Sequence, residues 1–242
     1  MARRRGARRR RRPFFYVTSA RAAIFGILLL AVLVGSGVFS RAIETATPAG
    51  PLKGQVIYLD PGHGGIDPGA CGATVVEKDV VLQVALYLGV RLERSGARVV
   101  YSRTGDYDLE SEDVSDVRAR IDLIESSGAT MVISLHCNAF TDPYEYGAQT
   151  FYNAQRHPES QRLAEIIQKE LAENTDTYRE ASARIDHFML NASGVPAATV
   201  ELGFLSNPHE ETLLGSASYR QKLAEVIWRA VIQFVETEQE EL

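Results

Sequence analysis

Residues 56–72 read VIYLDPGHGGIDPGACG. The first five, VIYLD, form an uninterrupted apolar run of strand length that stops at Asp60 and Pro61. Runs without polar alternation belong to strands covered on both faces, as in parallel α/β sheets. The glycines that follow let the backbone turn tightly, and the turn presents His63 at the carboxyl end of the strand. A phosphate cradle is a poor alternative, because the spacing is neither GxGxxG nor GxxxxGK[ST] and the P-loop lysine is missing.

Further along the chain the same grammar repeats. Strand-type runs occur at 98–102 (RVVYS), 130–135 (TMVISL), 148–153 (AQTFYN) and 197–201 (AATVE). Between them, 77–94 carries Val81, Val84, Leu88 and Leu92 at helical spacing and stops at Gly96. Helical patterns also cover 113–126, 158–173 and 217–236, while 174–194 has no clear period. The order predicts a single three-layer α/β domain over 54–237, a mostly parallel twisted sheet with helices on both faces.

Residues 1–42 differ in kind. They hold ten arginines and no acid, so the remaining sixteen basic residues face all 31 Asp and Glu, a formal charge of −15 over 43–242. An acidic domain argues against a nucleic-acid partner. After the Arg-rich segment 1–21, residues 22–40 (AAIFGILLLAVLVGSGVFS) are uncharged and, at about 1.5 Å per residue, nearly span a ~30 Å hydrocarbon core. The flanking arginines keep 1–21 in the cytoplasm, so 22–40 is expected to be an uncleaved membrane anchor holding the later residues on the outer face of the cytoplasmic membrane. A cleavable signal peptide, exported by the general or the twin-arginine route, is the rival reading. Residues 41–53 form a linker. Cys71 and Cys137 read as two small buried thiols more than as a disulfide.

In open α/β sheets ligands bind beyond the carboxyl ends of strands, where His63, His136 and Glu201 all fall. Two histidines and one carboxylate are the minimal protein set for a catalytic zinc ion that keeps a position open for water. Asp60, Asp67, Glu77 and Glu201 could each supply the oxygen, and spacing does not choose among them. Each residue also has a bland reading: a structural histidine after a glycine turn, a hydrogen-bonded core histidine at 136, an N-terminal helix acid at 77. The helix-borne HExxH pattern is absent.

Four ordered stretches, DPGHGG at 60–65, EKD at 77–79, SLHCNA at 134–139 and VELGFLSNPHE at 200–210, resemble the zinc-dependent N-acetylmuramoyl-L-alanine amidases of bacterial cell walls. The resemblance spans about 54–236. It implies His63, Glu77 and His136 as zinc ligands and Glu201 as the catalytic glutamate, in an enzyme that cleaves the amide between N-acetylmuramic acid and L-alanine of peptidoglycan. GAQTFY at 147–152 and NPHEETLLG at 207–215 look most like the germination-type amidase, which acts in spore cortex on the route to muramic-δ-lactam.

The resemblance also marks departures. The stretch between His136 and GAQTFY is too short for the helix that occludes some division amidases, and no wall-binding repeat flanks the domain. Family members often carry an arginine near Asn191, where this chain has none. Asp60 and Asn138 are candidates for orienting the imidazoles, and Asn138 is a candidate substrate contact. Localisation then rests on the anchor, with placement in the spore intermembrane space and an accessory protein left open. Two competing readings remain at this point: a zinc peptidase or carbohydrate deacetylase of the wall, and a non-catalytic wall-binding protein.

Overall fold

The structure, a computed structural model, describes residues 50–111 and 114–240, the last three by backbone alone. The Arg-rich segment, the expected anchor at 22–40 and most of the linker lie outside these residues. Among the described residues no helix is long and apolar enough to cross a membrane.

The elements run β1 (Val56–Pro61), α1 (Glu77–Arg94), β2 (Arg98–Tyr101), α2 (Asp116–Ser127), β3 (Met131–Asn138), β4 (Gln149–Tyr152), α3 (Glu159–Asn174), β5 (Ser182–Ala183), α4 (Phe188–Ala192), β6 (Ala197–Phe204), α5 (Pro208–Gly215) and α6 (Ala217–Glu240). They build one six-stranded sheet in the order β2-β1-β3-β6-β4-β5. β1, β2, β3 and β6 are mutually parallel, as expected, but β4 runs antiparallel to β6. The reason lies in the connections: α1 and α2 carry the chain back between β1, β2 and β3, whereas only the loop after Asn138 separates β3 from β4, too short for a parallel return. The stretch without a helical period holds the two-residue β5 and the short α4. α2 starts at Asp116 rather than at 113, because the Ser115 side chain accepts from the Arg118 N–H and caps it there.

The sheet's two faces are unequal. Ile57, Leu59, Ile133, Leu135, Val200 and Leu202 point into the larger core, under α1, α3 and α6. The alternate residues Tyr58, Val132 and Ala197 form a smaller core with Ile124 of α2 and with Met189 and Leu190 of α4. Continuing along that second face toward the strand ends, the residues turn polar: Asp60, then Ser134 and His136, then Thr199 and Glu201, aligned by the registers Asp60↔Ser134, Ser134↔Thr199 and His136↔Glu201. The apolar fill therefore runs out where the strands end, leaving a polar floor roofed by α2 and α4. Both thiols are free. Cys137 is buried as expected, but Cys71 is exposed, because it sits in the loop between β1 and α1 and not in a packed element.

Candidate metal centre and active site

The turn after β1 is built around His63, whose backbone is left-handed at φ 58°. Non-glycine residues rarely adopt that conformation, so the surroundings must hold it. Two buried arginines do so by capturing the carbonyls of the turn. Arg103 donates to Pro61 O (3.1 Å), Gly62 O (2.8 Å) and Lys78 O (2.8 Å), which ties the turn to the first residues of α1. Arg120 donates to Pro61 O (2.9 Å), to His63 O (2.7 Å) and to Asp60 Oδ1 (2.6 Å), and it also pairs with Asp116. Gly62 has no room for a side chain, since a Cβ would lie 2.2 Å from the His136 ring. Gly69, at φ +66°, would place a Cβ 2.5 Å from Glu77 Oε2 and 2.6 Å from the His63 ring. These two glycines let three polar side chains converge.

Glu77, 2% exposed, is the first residue of α1 and points back at the strand ends. Its Oε1 lies 3.2 Å from His63 Nε2 and 3.0 Å from His136 Nδ1, and accepts from the Cys137 N–H at 2.8 Å. Its Oε2 accepts from the Ala70 N–H at 2.7 Å. Burial opposes the charge on Glu77, but hydrogen bonds from His136 and His63 outweigh it and hold the carboxyl well below the usual range. Burial alone would lower the His63 pKa, yet Glu77 and then Asp67 raise it to about 9. His136 is raised as well, against its burial, chiefly by Glu77. Two imidazoles crowding one carboxylate oxygen take up either protons or a cation.

One donor atom from each of His63, Glu77 and His136 lies within 4.8 Å of the others, so these three could hold a metal ion. The two-nitrogen, one-oxygen set is the donor chemistry of catalytic zinc. The remaining oxygen candidates are occupied otherwise. Asp60 is fully buried, accepts from Arg120 and from Ser134 Oγ (2.8 Å), and is held below its ordinary pKa because Arg120 outweighs burial. Asp67 Oδ2 bonds His63 Nδ1 at 2.7 Å while Oδ1 accepts from the Gly69 N–H, so Asp67 orients the imidazole from its other nitrogen.

Glu201 stands beside His136 across the β3–β6 ladder. Its Oε2 is buried and, among the described residues, has no hydrogen-bond partner. Burial, helped by the charge of Glu77, pushes its pKa up to about 7. An acid poised near neutrality with one free oxygen can accept and return a proton. His63, His136 and Glu201 line a cavity of about 320 Å³ between the polar floor and the α2–α4 roof.

Asn138 is not brought to this cavity. Its Oδ1 accepts from the Ala139 N–H, and it lines a separate groove with Phe140, Gln149, Arg179 and Arg184. Asn191 sits between Asn153 and Ile185, hydrogen-bonded to both. The sequence reading did not anticipate Arg103, Arg120 or the orienting role of Asp67. For Arg120 a signal existed: it falls four residues before Ile124, on the buried stripe of α2, where a charge needs an internal partner.

The profile of the N-acetylmuramoyl-L-alanine amidase family matches residues 57–233. The germination-specific N-acetylmuramoyl-L-alanine amidase of Bacillus subtilis is 40% identical over 194 residues, covering 76% of this chain and 81% of that protein. The amidase AmiA of Escherichia coli is 29% identical over 225 residues, covering 74% and 76%. Among solved structures, the CwlD amidase of Clostridioides difficile, in complex with the GerS lipoprotein, aligns with a TM-score of 0.73 and 35% identity over 76% of this chain and 99% of that one. The chain belongs to the N-acetylmuramoyl-L-alanine amidase family.

Proposed function

We propose that this chain is a zinc-dependent amidase that hydrolyses the bond between the lactyl group of N-acetylmuramic acid and L-alanine of the stem peptide in peptidoglycan. The observation that carries the reading is the convergence of His63, Glu77 and His136 beside a Glu201 whose buried Oε2 is unpartnered. His63, Glu77 and His136 would hold the ion, which when bound lowers the pKa of a coordinated water toward ~7 and polarises the scissile carbonyl. Glu201, raised to about 7, accepts the proton of the attacking water and returns it to the departing amine. Asp67 fixes the His63 ring, and the two arginines hold the turn that carries it.

The 40% identity to a germination-specific enzyme supports a role in spore cortex, as part of muramic-δ-lactam formation. With residues 22–40 as anchor, the catalytic domain would work on the outer face of the membrane. The lipoprotein complex of the CwlD amidase supports an accessory protein for this chain too. The test is digestion of purified cortex and vegetative wall followed by mass spectrometry. Free stem peptides with an L-alanine amino terminus are expected; acetate release would make the enzyme a deacetylase, and bound zinc without any cleavage would make it a binding protein.

A further inference from the structure

The roof of the cavity contributes groups that this chemistry does not use, His187 among them. His187, immediately before α4, lines the same cavity as His63, His136 and Glu201, but reaches it from the helix side whereas they come from the sheet and the turn after β1. Its ring packs on Phe151, with centroids 5.4 Å apart at 59°. Among the described residues the ring makes no hydrogen bond to the protein. The backbone that carries it is nonetheless tied down. The Asn191 N–H donates to His187 O at 3.1 Å, Asn191 Nδ2 donates to Ile185 O at 2.7 Å, and Asn191 Oδ1 accepts from Asn153 Nδ2 at 2.7 Å.

A ring packed against Phe151, on an anchored backbone and lining a cavity, has the form of a recognition group that is paired when a ligand arrives. Burial, then the charge of Arg184, lowers the pKa of His187, and His136 acts in the same direction. The neutral imidazole offers one donor and one acceptor, which suits an uncharged amide or hydroxyl better than a carboxylate.

We propose that His187 is a substrate-contacting residue that hydrogen-bonds an uncharged amide or hydroxyl of the muramoyl peptide from the roof of the cavity. This role rests on the amidase reading of the site. Two variants test it. His187→Phe keeps a ring packed against Phe151 and removes both polar atoms, whereas His187→Gln restores a donor and an acceptor. In the zinc-loaded protein, His187→Phe is expected to lower kcat/KM on a soluble muropeptide about tenfold, with zinc content and Tm unchanged, and His187→Gln to recover part of the loss. Unchanged kcat/KM in a folded, metal-loaded His187→Phe protein overturns the role, as does a loss accompanied by lost zinc or lowered Tm that Gln does not repair. A separate readout keeps it distinct from the amidase reading. Muramoyl dipeptide is added to zinc-loaded Glu201→Gln protein and the ring ¹⁵N resonances of His187 are followed. A shift supports the contact even if the parent proves to cleave no wall amide, and no shift under saturating ligand overturns it.

Discussion

Among single residues, Glu201 carries the proton transfer in the proposed mechanism, and its substitution separates that chemistry from metal holding. Glu201→Gln should retain zinc and fold while turnover falls by about 10²–10⁴, the range for loss of a general acid–base; near-normal kcat would remove Glu201 from the mechanism. The histidine cluster predicts a pH dependence for metal uptake. His63, raised to about 9, holds a proton at neutral pH that a cation must displace. Zinc affinity should therefore climb as pH rises toward 9, with protons released on binding, both readable by calorimetry in buffers of different ionisation enthalpy. A flat affinity profile would contradict the cluster. Asp60 makes the converse prediction for stability. Its folded pKa lies below the ordinary 3.8, so its pairing with Arg120 stabilises the fold above about pH 4 and is lost as pH falls through the folded value. Arg120→Met should destabilise the domain by several kcal/mol at pH 7, because it leaves Asp60 charged and unpaired. The gap to the parent in chemical denaturation should narrow in acid.

At the scale of elements, α1 shows how packing and site are joined. Its buried stripe Val81, Val84, Leu88 and Leu92 seats it on the sheet, and that seating aims Glu77 from its first turn at the strand ends. Leu88→Ala should cost about 2–5 kcal/mol of stability by opening a cavity in the larger core, seen as a lower Tm, while the surviving folded fraction binds zinc normally. α1, β1 and β6 were legible from period and composition alone, since α1 buries one long stripe and β1 and β6 are continuous runs buried on both faces. Three elements were not. α4 is five residues and β5 two, too short to display any period, and α5 is separated from α6 only by the Ser216 break. β4 was legible as a strand at 148–153, but its antiparallel direction had no local signature. Its direction follows from the missing crossover, and only its place beside β6 reveals it.

For the whole molecule, the contrast between an arginine-rich, apolar first segment and an acidic domain predicts a division of labour. The full chain should sediment with membranes and resist extraction by high salt and carbonate, whereas a chain beginning near residue 43 should be soluble and still cleave muropeptides. Release of the full chain by salt alone would mean that 22–40 is no anchor. The sequence by itself determined the order of the longer strands and helices, the placing of His63, His136 and Glu201 toward the carboxyl halves of strands, and the family, because burial periodicity and short motifs are local properties of the chain; the strands carrying His136 and Glu201 run on to Asn138 and Phe204. It also left four acids competing for one role. Tertiary structure decided what became of each: it set Glu77 between both imidazoles, behind His63 it placed Asp67, it paired Asp60 with Arg120, and it left Glu201 with an open oxygen. It placed two arginines behind the left-handed turn at His63 and brought His187 into the roof above it. Which charges end up adjacent, and which are stripped of water, depends on residues tens of positions apart meeting in a packed interior, and no spacing rule along the chain encodes that.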